Sequence, residues 1–471
     1  MSEIFRALSD LAGHEKPLPI YVCRPDALDS VLSSLSDMQQ TFAKARNFTG
    51  EAGQRVRLPA PDGTISAVLF GAGPIKNDVL GPIRLGGLSS NLPEGFYKLV
   101  TIPEDWNIAL CPIGWGLGAY KFDVYLQNET HFPILCLDPE THRMSEAVAL
   151  TDAVHHGRDL INLPAGDLGP VALHQATVDL ANRFEAEITE IVGEELISQN
   201  YPMIHAVGRA AHEAPRLIEF EWGDPSHARL AIIGKGITFD TGGLNIKGAS
   251  GARIMKKDMG GAAHALALSE MIMANNLPIR LHCLVAIAEN AISAGAYRPG
   301  DILTSREGLT VEIDNTDAEG RLVLGDALSK AAESDPVLMI DFATLTGAAR
   351  VALGPTVPPF FSNRKGPVET VLQHSEKQRD PVWHMPLWQP YMSLLSSPIA
   401  DMKNSGGSFA GSVTAALFLE RFVKEKPWMH FDVYGWNPTS GPGHPKGGEM
   451  FAIRALYHWL KAGGLNSDFS Q

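Results

Sequence analysis

The sequence predicts an α/β protein in which a smaller N-terminal α/β domain is joined by a helix to a larger C-terminal α/β domain with a central, largely parallel sheet. The length of 471 residues corresponds to two or three domains. Short apolar runs alternate with helical patterns along the chain, which is typical of βαβ units. One long helical pattern after about residue 140 marks the junction between the two domains.

The N-terminal part, residues 1–143, mixes short apolar runs with Gly and Pro. Three of these runs predict strands that are separated by helical segments, namely Pro19–Cys23, Ala67–Phe70 and Phe132–Leu137. We therefore expect a separate α/β domain in this part of the chain.

The next segment, residues 144–164, predicts a connecting helix from Met144 to Leu163. Apolar residues recur along it at Ala147, Val148, Leu150, Val154 and Leu160. Pro164 ends the helix, because the residue before a proline is pushed out of the helical region. The second domain is therefore expected over residues 165–471.

In this second domain, strand and helix patterns alternate. The strand candidates are Leu230–Ile233, Arg280–Ala288 and Val337–Ile340, and Ala262–Ala274 predicts a helix. Such alternation predicts a largely parallel sheet that is covered on both faces. Because these sheets bind ligands beyond the carboxyl ends of their strands, we expect the chemistry in Gly-rich loops that follow the strands.

Composition limits the classes of function. A net charge of -14 argues against a general binder of nucleic-acid backbones. No apolar run reaches the length of about 18 residues that a membrane-spanning helix needs, so no membrane partner is expected. Thiols that are few, scattered and outside any C-x-x-C pair predict a reducing, cytoplasmic location, and they are Cys23, Cys111, Cys136 and Cys283.

Three segments concentrate charge among glycines. They are Gly234–Lys247 with Lys235, Asp240 and Lys247, then Met255–Ala262 with Asp258, and Asp314–Leu324 with Asp317, Glu319 and Arg321. In an extended segment alternate residues point the same way, so the three residues of the last segment are expected to converge. Taken singly, each carboxylate is more often a cap, a turn residue or part of a surface salt bridge.

Taken together, four carboxylates at one site repel each other unless they are protonated or bound to cations. Two divalent ions would neutralise them. Oxygen ligands with one lysine nitrogen suit Zn²⁺ or Mn²⁺, with Mg²⁺ and Co²⁺ as alternatives.

Beyond this chemistry, Asn315–Leu324 (NTDAEGRLVL) resembles the signature of the leucyl aminopeptidase family, which is a family of cytosolic two-metal aminopeptidases. Gly234–Gly243 and Lys257–Ala263 are similar to the two metal-binding stretches of that family. Ala288–Asp301 and Ala343–Ala348 also look like family segments. The resemblance covers most of residues 150–471, and in the N-terminal part it is weaker, mainly at Leu117–Tyr125.

The resemblance implies a catalytic metallopeptidase domain that removes the N-terminal residue, preferably leucine-like, from peptides with a free amine through a hydroxide that bridges two metals. The implied metal ligands are Lys235, Asp240, Asp258, Asp317 and Glu319. Lys247 and Arg321 match the two catalytic residues that are not ligands, and Arg321 is implied to hold bicarbonate as the general base. A homohexamer is also implied, with an assembly or regulatory role for the N-terminal domain.

The expected substrate-binding residues are Met255, Asn315, Thr344, Leu345 and Gly347. Met255 matches a residue that lines the family's pocket for the first substrate side chain, and plain core packing is its alternative. Thr344, Leu345 and Gly347 follow an apolar strand and are expected to bind the peptide backbone.

Four other interpretations compete with this one. A calcium loop fits Asn315–Asp326 in part, but a strand precedes it where a helix is required. Gly234-Lys235 lacks the rest of a P-loop, and Gly406–Ala410 lacks the last glycine of a serine-hydrolase motif. A member of the same family that acts as a DNA-binding or moonlighting protein is the remaining alternative.

Overall fold

The computed structural model of the protein describes residues 4–13, 15–127 and 132–469. The chain divides into two compact units. The first contains Met1–His155 and Thr439–Lys446, and the second contains His156–Pro438 and Gly447–Gln471. Among the described residues, no helix combines the length and the hydropathy that are needed to cross a bilayer.

The first unit is built on a six-stranded sheet. Its strands are β1 (Phe5–Ala7), β2 (Leu18–Cys23), β3 (Arg55–Pro59), β4 (Ile65–Gly71), β5 (Gly95–Thr101) and β6 (Pro133–Leu137). Their order is β1-β6-β5-β2-β4-β3, and all neighbours are parallel except β3 and β4. The helices of this unit are α1 (Leu28–Ser33), α2 (Asp37–Ala45), α3 (Gly86–Ser89) and α4 (Leu110–Ala119).

Two apolar clusters form the core of the first unit. Val68 and Phe70 of β4 belong to one cluster, while Ala67 and Leu69 belong to the other. Because side chains alternate between the faces of a strand, the two clusters lie on opposite faces of the sheet. The strands predicted from the three apolar runs are confirmed.

Helix α5 (Met144–Asn162) confirms the helix predicted between Met144 and Leu163. It ends two residues before Pro164, where a proline is expected to stop it. The boundary between the two compact units falls within this helix, at His155 and His156.

An eight-stranded sheet forms the second unit, with the order β15-β14-β17-β13-β9-β10-β8-β7. The four central strands β17, β13, β9 and β10 are parallel to one another, whereas β7, β8 and β14 run antiparallel to a neighbour. The strands of this sheet are β7 (Glu187–Val192), β8 (Arg216–Trp222), β9 (Arg229–Asp240), β10 (Arg280–Asn290), β13 (Leu338–Ala343), β14 (Pro359–Ser362), β15 (Trp383–His384) and β17 (Trp428–Asp432). A three-stranded sheet is formed by β11 (Ile302–Thr304), β12 (Thr310–Glu312) and β16 (Met402–Lys403), and a two-stranded sheet by β18 (Trp436–Asn437) and β19 (Gly447–Gly448).

Helices cover both faces of this sheet. They are α6 (Pro170–Arg183), α7 (Glu195–Ser198), α8 (Pro202–Gly208), α9 (Ala249–Ala252), α10 (Gly260–Ala274), α11 (Gly320–Glu333), α12 (Gly347–Leu353), α13 (Gly366–Lys377), α14 (Gly411–Glu420), α15 (Ile453–Lys461) and α16 (Gly464–Ser467). A Cβ at Gly234 would lie 2.6 Å from Ala262 of α10, whereas the next side chain, Lys235, faces Gly320 of α11. Successive strand residues therefore face different helices, which confirms the predicted covered sheet.

One expectation about the Gly-rich segments is wrong. Gly234–Asp240 was expected to be a loop after a short strand, but β9 continues through it to Asp240. The extended conformation persists because Gly234 lets α10 approach closely and because β10 pairs with β9 along this stretch. The loop begins only at Thr241.

Candidate metal centre

The predicted site residues of the second unit gather at the carboxyl ends of the central parallel strands. Asp240 is the last residue of β9, and Thr344 directly follows β13. Asp258 lies in a short 3₁₀ helix, Met255–Met259, that leads into α10. The position agrees with the rule that open α/β sheets hold ligands at this edge.

Lys235 is buried in β9 and contacts three segments that are distant in sequence. Its Nζ donates to Asp258 Oδ2 at 2.7 Å and to the carbonyl oxygen of Thr344 at 2.9 Å. The same Nζ lies 2.9 Å from Glu319 Oε1. Burial lowers the pKa of Lys235, but Asp258 and Glu319 outweigh burial and hold this pKa above its ordinary value.

Lys247 forms a second centre of positive charge. Its Nζ lies 2.7 Å from Asp240 Oδ2, and it also pairs with Asp317 Oδ1. The two lysines thus bind different members of the carboxylate group. Burial lowers the pKa of Lys247, and the neighbouring carboxylates, Asp240 first, raise it above the ordinary lysine value.

Three of the carboxylates form a cluster with the geometry of a metal site. Asp240, Asp317 and Glu319 each present an oxygen, and these oxygens lie within 4.8 Å of one another. Glu319 Oε2 is buried and has no hydrogen-bond partner among the described residues. Because a buried carboxylate oxygen without a partner is costly, the cluster fits a bound cation.

Burial and repulsion between neighbouring carboxylates raise the pKa values of three of these groups. Burial, followed by repulsion from Asp258, raises the pKa of Asp240 to about 6. Burial and Asp240 raise the pKa of Glu319 to about 7, and burial and Glu319 raise that of Asp317. Burial opposes ionisation of Asp258 as well, but Lys235 and Lys257 keep its pKa below the ordinary value. Divalent cations would favour the ionised form of all four groups.

The prediction that Asp317, Glu319 and Arg321 lie on an extended segment is wrong. The chain turns at Thr316 and Asp317, and α11 begins at Gly320. Asp317 and Glu319 still converge, since each contributes an oxygen to the carboxylate cluster. Arg321 lies in the first turn of α11, two residues after Glu319.

Arg321 is buried, and its guanidinium carbon lies 6.0 Å from the centroid of the Phe418 ring. Its Nη1 donates to the carbonyl oxygen of Asn404 at 2.7 Å, whereas its Nε is buried without a partner among the described residues. Burial lowers the pKa of Arg321 to about 10. The guanidinium group therefore keeps a donor available for an anion.

The predicted substrate-binding residues differ in their surroundings. Thr344 is buried and donates from Oγ1 to Asp258 Oδ1 at 2.8 Å, so it supports a candidate ligand directly. The backbone nitrogen of Leu345 donates to Asp432 Oδ1 at 3.2 Å. Gly347 is exposed at the start of α12, and Met255 is half-buried at the start of its 3₁₀ helix.

Asn315 stabilises the turn that carries Asp317. Its Oδ1 accepts from the backbone nitrogen of Asp317 at 2.9 Å. Its own backbone nitrogen donates to Asn404 Oδ1 at 3.1 Å, and its carbonyl oxygen accepts from Asn404 Nδ2 at 2.6 Å. This local role is additional to the substrate-binding role expected from the sequence.

Two buried asparagines of the site were missed in the sequence. Asn290 Nδ2 donates to Asp240 Oδ1 at 2.8 Å and to the carbonyl oxygen of Thr316 at 3.0 Å, which connects the first carboxylate segment to the third. Asn404 binds both ends of the Asn315 turn and also Arg321. Only the position of Asn290 at the end of a predicted strand could have indicated its role.

The chain is similar to aminopeptidases over nearly its whole length. Residues 155–457 match the cytosol aminopeptidase family, catalytic domain, and residues 18–138 match the M17 aminopeptidase N-terminal domain. A probable cytosol aminopeptidase of Geobacter sulfurreducens is 34% identical, with 93% of this chain and 95% of that protein covered. A probable cytosol aminopeptidase of Pseudomonas fluorescens is 41% identical, with 73% and 72% covered.

Solved structures agree with these matches. The cytosol aminopeptidase from Coxiella burnetii has a TM-score of 0.91 and 41% identity, with 98% of this chain and 99% of that chain covered. The bottromycin maturation enzyme BotP in complex with Mn has a TM-score of 0.86 and 30% identity, with 94% and 99% covered.

Fold, carboxylate cluster and similarities together define a metal-dependent aminopeptidase, which is a hydrolase of peptide bonds. Within that class, the chain belongs to the cytosol aminopeptidase family, M17. The resemblance to the leucyl aminopeptidase family that was seen in the sequence is therefore confirmed.

Proposed function

We propose that this enzyme removes leucine-like N-terminal residues from peptides with a free amine, using two divalent ions, Zn²⁺ or Mn²⁺, at the candidate metal centre. One observation carries the proposal. Asp240, Asp317 and Glu319 converge within 4.8 Å, and Glu319 Oε2 is buried without a partner among the described residues. This geometry is costly without a cation and favourable with one.

The proposed ligands would serve two metal positions. Asp240 and Glu319 would be shared by both positions, since Glu319 contacts Lys235, Asp240 contacts Lys247, and both belong to the carboxylate cluster. Lys235 and Asp258 complete one position, and Asp317 completes the other. When bound, the ions supply Lewis acidity and a hydroxide nucleophile at neutral pH.

Lys247 and Arg321 are the proposed catalytic residues that do not bind metal. Lys247 places an ammonium group beside Asp240 and Asp317, where it stabilises negative charge that develops on the scissile carbonyl oxygen. Arg321 has a buried Nε without a protein partner in the described ranges. This donor would help to hold a bicarbonate ion, which would supply a general base when bound.

Met255, Asn315, Thr344, Leu345 and Gly347 are the proposed substrate contacts. Thr344 and Leu345 belong to the loop between β13 and α12, Gly347 begins α12, and Thr344 donates to Asp258. A half-buried Met255 gives a flexible apolar wall, which supports a preference for leucine-like side chains.

We also propose a homohexamer in the cytoplasm. The names of the relatives as cytosol aminopeptidases support the location. The four cysteines, all free and buried, agree with a reducing compartment. We place residues 1–143 in an assembly or regulatory domain, residues 144–164 in the connecting helix and residues 165–471 in the catalytic domain.

Hydrolysis of leucine p-nitroanilide tests the proposal. We expect turnover by the purified chain, loss of that turnover with a chelator, and recovery when Zn²⁺ or Mn²⁺ is added back. N-acetylleucine p-nitroanilide, which lacks the free amine, is the matched control and should not be cleaved. Turnover that survives complete metal removal would contradict the proposed chemistry.

A further inference from the structure

A cationic platform lies on the second unit and is formed by Arg350, Tyr434 and Lys257. The Arg350 guanidinium carbon lies 4.6 Å from the centroid of the Tyr434 ring. Lys257 Nζ lies 5.3 Å from the same centroid. Arg350 is exposed on α12, and across the described ranges no acidic side chain forms an ion pair with it.

The cationic platform adjoins the loop that connects β13 to α12. A Cβ at Gly347 would lie 3.9 Å from Arg350 Nη2, so the guanidinium group folds back towards the start of α12. Gly435 follows Tyr434, and a Cβ there would lie 3.2 Å from Thr344 Cγ2. Because Thr344 donates to Asp258, the platform is one residue layer away from the candidate metal centre.

Charges near the platform leave Arg350 without a counter-ion. Lys257 Nζ lies 3.6 Å from Asp258 Oδ1, and the other oxygen of Asp258 binds Lys235. The carboxylate that contacts Lys257 is thus already matched by two lysines. The exposed Arg350 and the buried Lys257 lie over the same ring and create a local positive potential that attracts anions.

The position of the guanidinium group over the ring also influences how Arg350 meets a ligand. A guanidinium plane lying over an aromatic ring keeps its N–H donors at the edge, where they bind a carboxylate with two parallel hydrogen bonds. The Tyr434 ring reduces the side-chain freedom that would otherwise be lost on binding.

We infer that Arg350, held on Tyr434 and supported by Lys257, is a specificity-determining residue that binds a carboxylate of the peptide substrate. This inference rests on the aminopeptidase function proposed above. The carboxylate has two sources, an acidic side chain near the scissile bond or the C-terminus of a short peptide.

Two substrate pairs separate these sources in the metal-loaded enzyme. Leu-Gly and Leu-Gly-amide differ only in the terminal carboxylate. Leu-Glu-Ala-amide and Leu-Gln-Ala-amide differ only in the side-chain carboxylate. We expect KM to be about fivefold lower for the carboxylate member of one pair, because an ion pair with an exposed arginine contributes only modestly to binding. The pair that shows the difference identifies the source.

Variants assign the effect to Arg350. In R350Q, the KM ratio of that pair should fall towards one, and R350K should retain part of it because lysine keeps the charge but loses the fork. R421Q is the matched control, because Arg421 is an exposed arginine at the C-terminal end of α14. This variant should keep the wild-type KM ratio.

Equal KM values within both pairs in the wild-type enzyme would overturn the inference, and so would a ratio that persists in R350Q. These outcomes leave the proposed function intact, because they require peptide cleavage to be measured. Failure to cleave any of the four peptides with metals supplied would instead overturn the aminopeptidase proposal and the inference with it.

Discussion

At the scale of single residues, Glu319 is the carboxylate of the metal centre that has a buried oxygen without a hydrogen-bond partner among the described residues. One oxygen contacts Lys235, while Oε2 is buried without a partner among the described residues. Burial and Asp240 raise its pKa to about 7. A bound cation would stabilise the ionised Glu319 carboxylate, so this residue is the most informative position to change.

We expect Glu319→Gln to reduce kcat by at least about two orders of magnitude, because the amide removes the charge of a proposed bridging ligand while keeping the shape. Metal content per chain should fall as well, measured by elemental analysis. Glu333→Gln, on the exposed end of the same helix, is the control and should behave as wild type. Full activity of the Glu319 variant would contradict the bridging role.

The environment of His264 predicts that the stability of the protein depends on pH. His264 is buried, its ring stacks on Phe342 and Phe451, and Nε2 accepts from the backbone nitrogen of Phe451 at 2.9 Å. Burial lowers its pKa to about 4 from the ordinary 6.5. Below pH 6.5 the unfolded chain therefore binds a proton that the folded chain rejects, and stability is lost as pH falls towards 4.

The lowered pKa of His264 corresponds to a loss of about 3 kcal/mol in the free energy of unfolding once the pH reaches the pKa of the folded state. We expect the melting temperature of the wild-type protein to fall between pH 7.5 and pH 5 by more than that of His264→Gln, which has no proton to gain there. Melting curves at both pH values measure the two slopes. Equal slopes would show that His264 does not govern this acid sensitivity.

At the scale of elements, close packing between α10 and the sheet positions Asp258. A Cβ at Gly261 would lie 2.2 Å from the carbonyl oxygen of Phe342 in β13. The absence of a side chain therefore lets the start of α10 approach the strand ends. Asp258 precedes this contact by three residues, so helix packing and ligand position are coupled.

We expect Gly261→Ala to destabilise the protein by on the order of 1–3 kcal/mol through overpacking, and to lower kcat by displacing Asp258. The melting temperature and leucine p-nitroanilide turnover measure the two effects. Gly166→Ala is the matched control, since nothing lies within 4 Å of a Cβ at that position. A Gly261 variant as stable as this control would contradict the packing argument.

The elements also show what the sequence could predict. Apolar runs and helix patterns predicted β2, β4, β6, α5, α10 and the parallel centre of the second sheet, because burial imposes visible periodicity. The strand through Gly234–Asp240 was missed, since glycines that admit a close helix look like a loop in the sequence. The turn before α11 was missed for a related reason, because alternation of charged residues fits a strand as well as a turn.

At the scale of the whole molecule, the positions of the candidate ligands followed from family motifs, whereas their hydrogen-bonded support did not. Asn290 and Asn404 contact residues 26 to 90 positions away in the chain. No local pattern encodes such partners, because an asparagine at a strand end or in a loop is common. Tertiary contacts alone distinguish these two from the other asparagines.

The second unit exposes large apolar side chains that could be buried between subunits. Six large apolar side chains between Trp383 and Phe409 are exposed, and Phe409 is exposed to 84%. Val351 on α12 is exposed to 86%. Burial of these side chains between subunits would stabilise an oligomer.

The proposed homohexamer predicts that the protein elutes from a sizing column at about six times its 50.9 kDa chain mass. Phe409→Glu should shift the elution towards smaller species, because a charge placed in an apolar interface is costly to bury. Lys461→Glu, which changes an exposed charge at the end of α15, should leave the elution volume unchanged. Light scattering gives the mass independently of shape, and a monomer mass for the wild-type chain would refute the assembly.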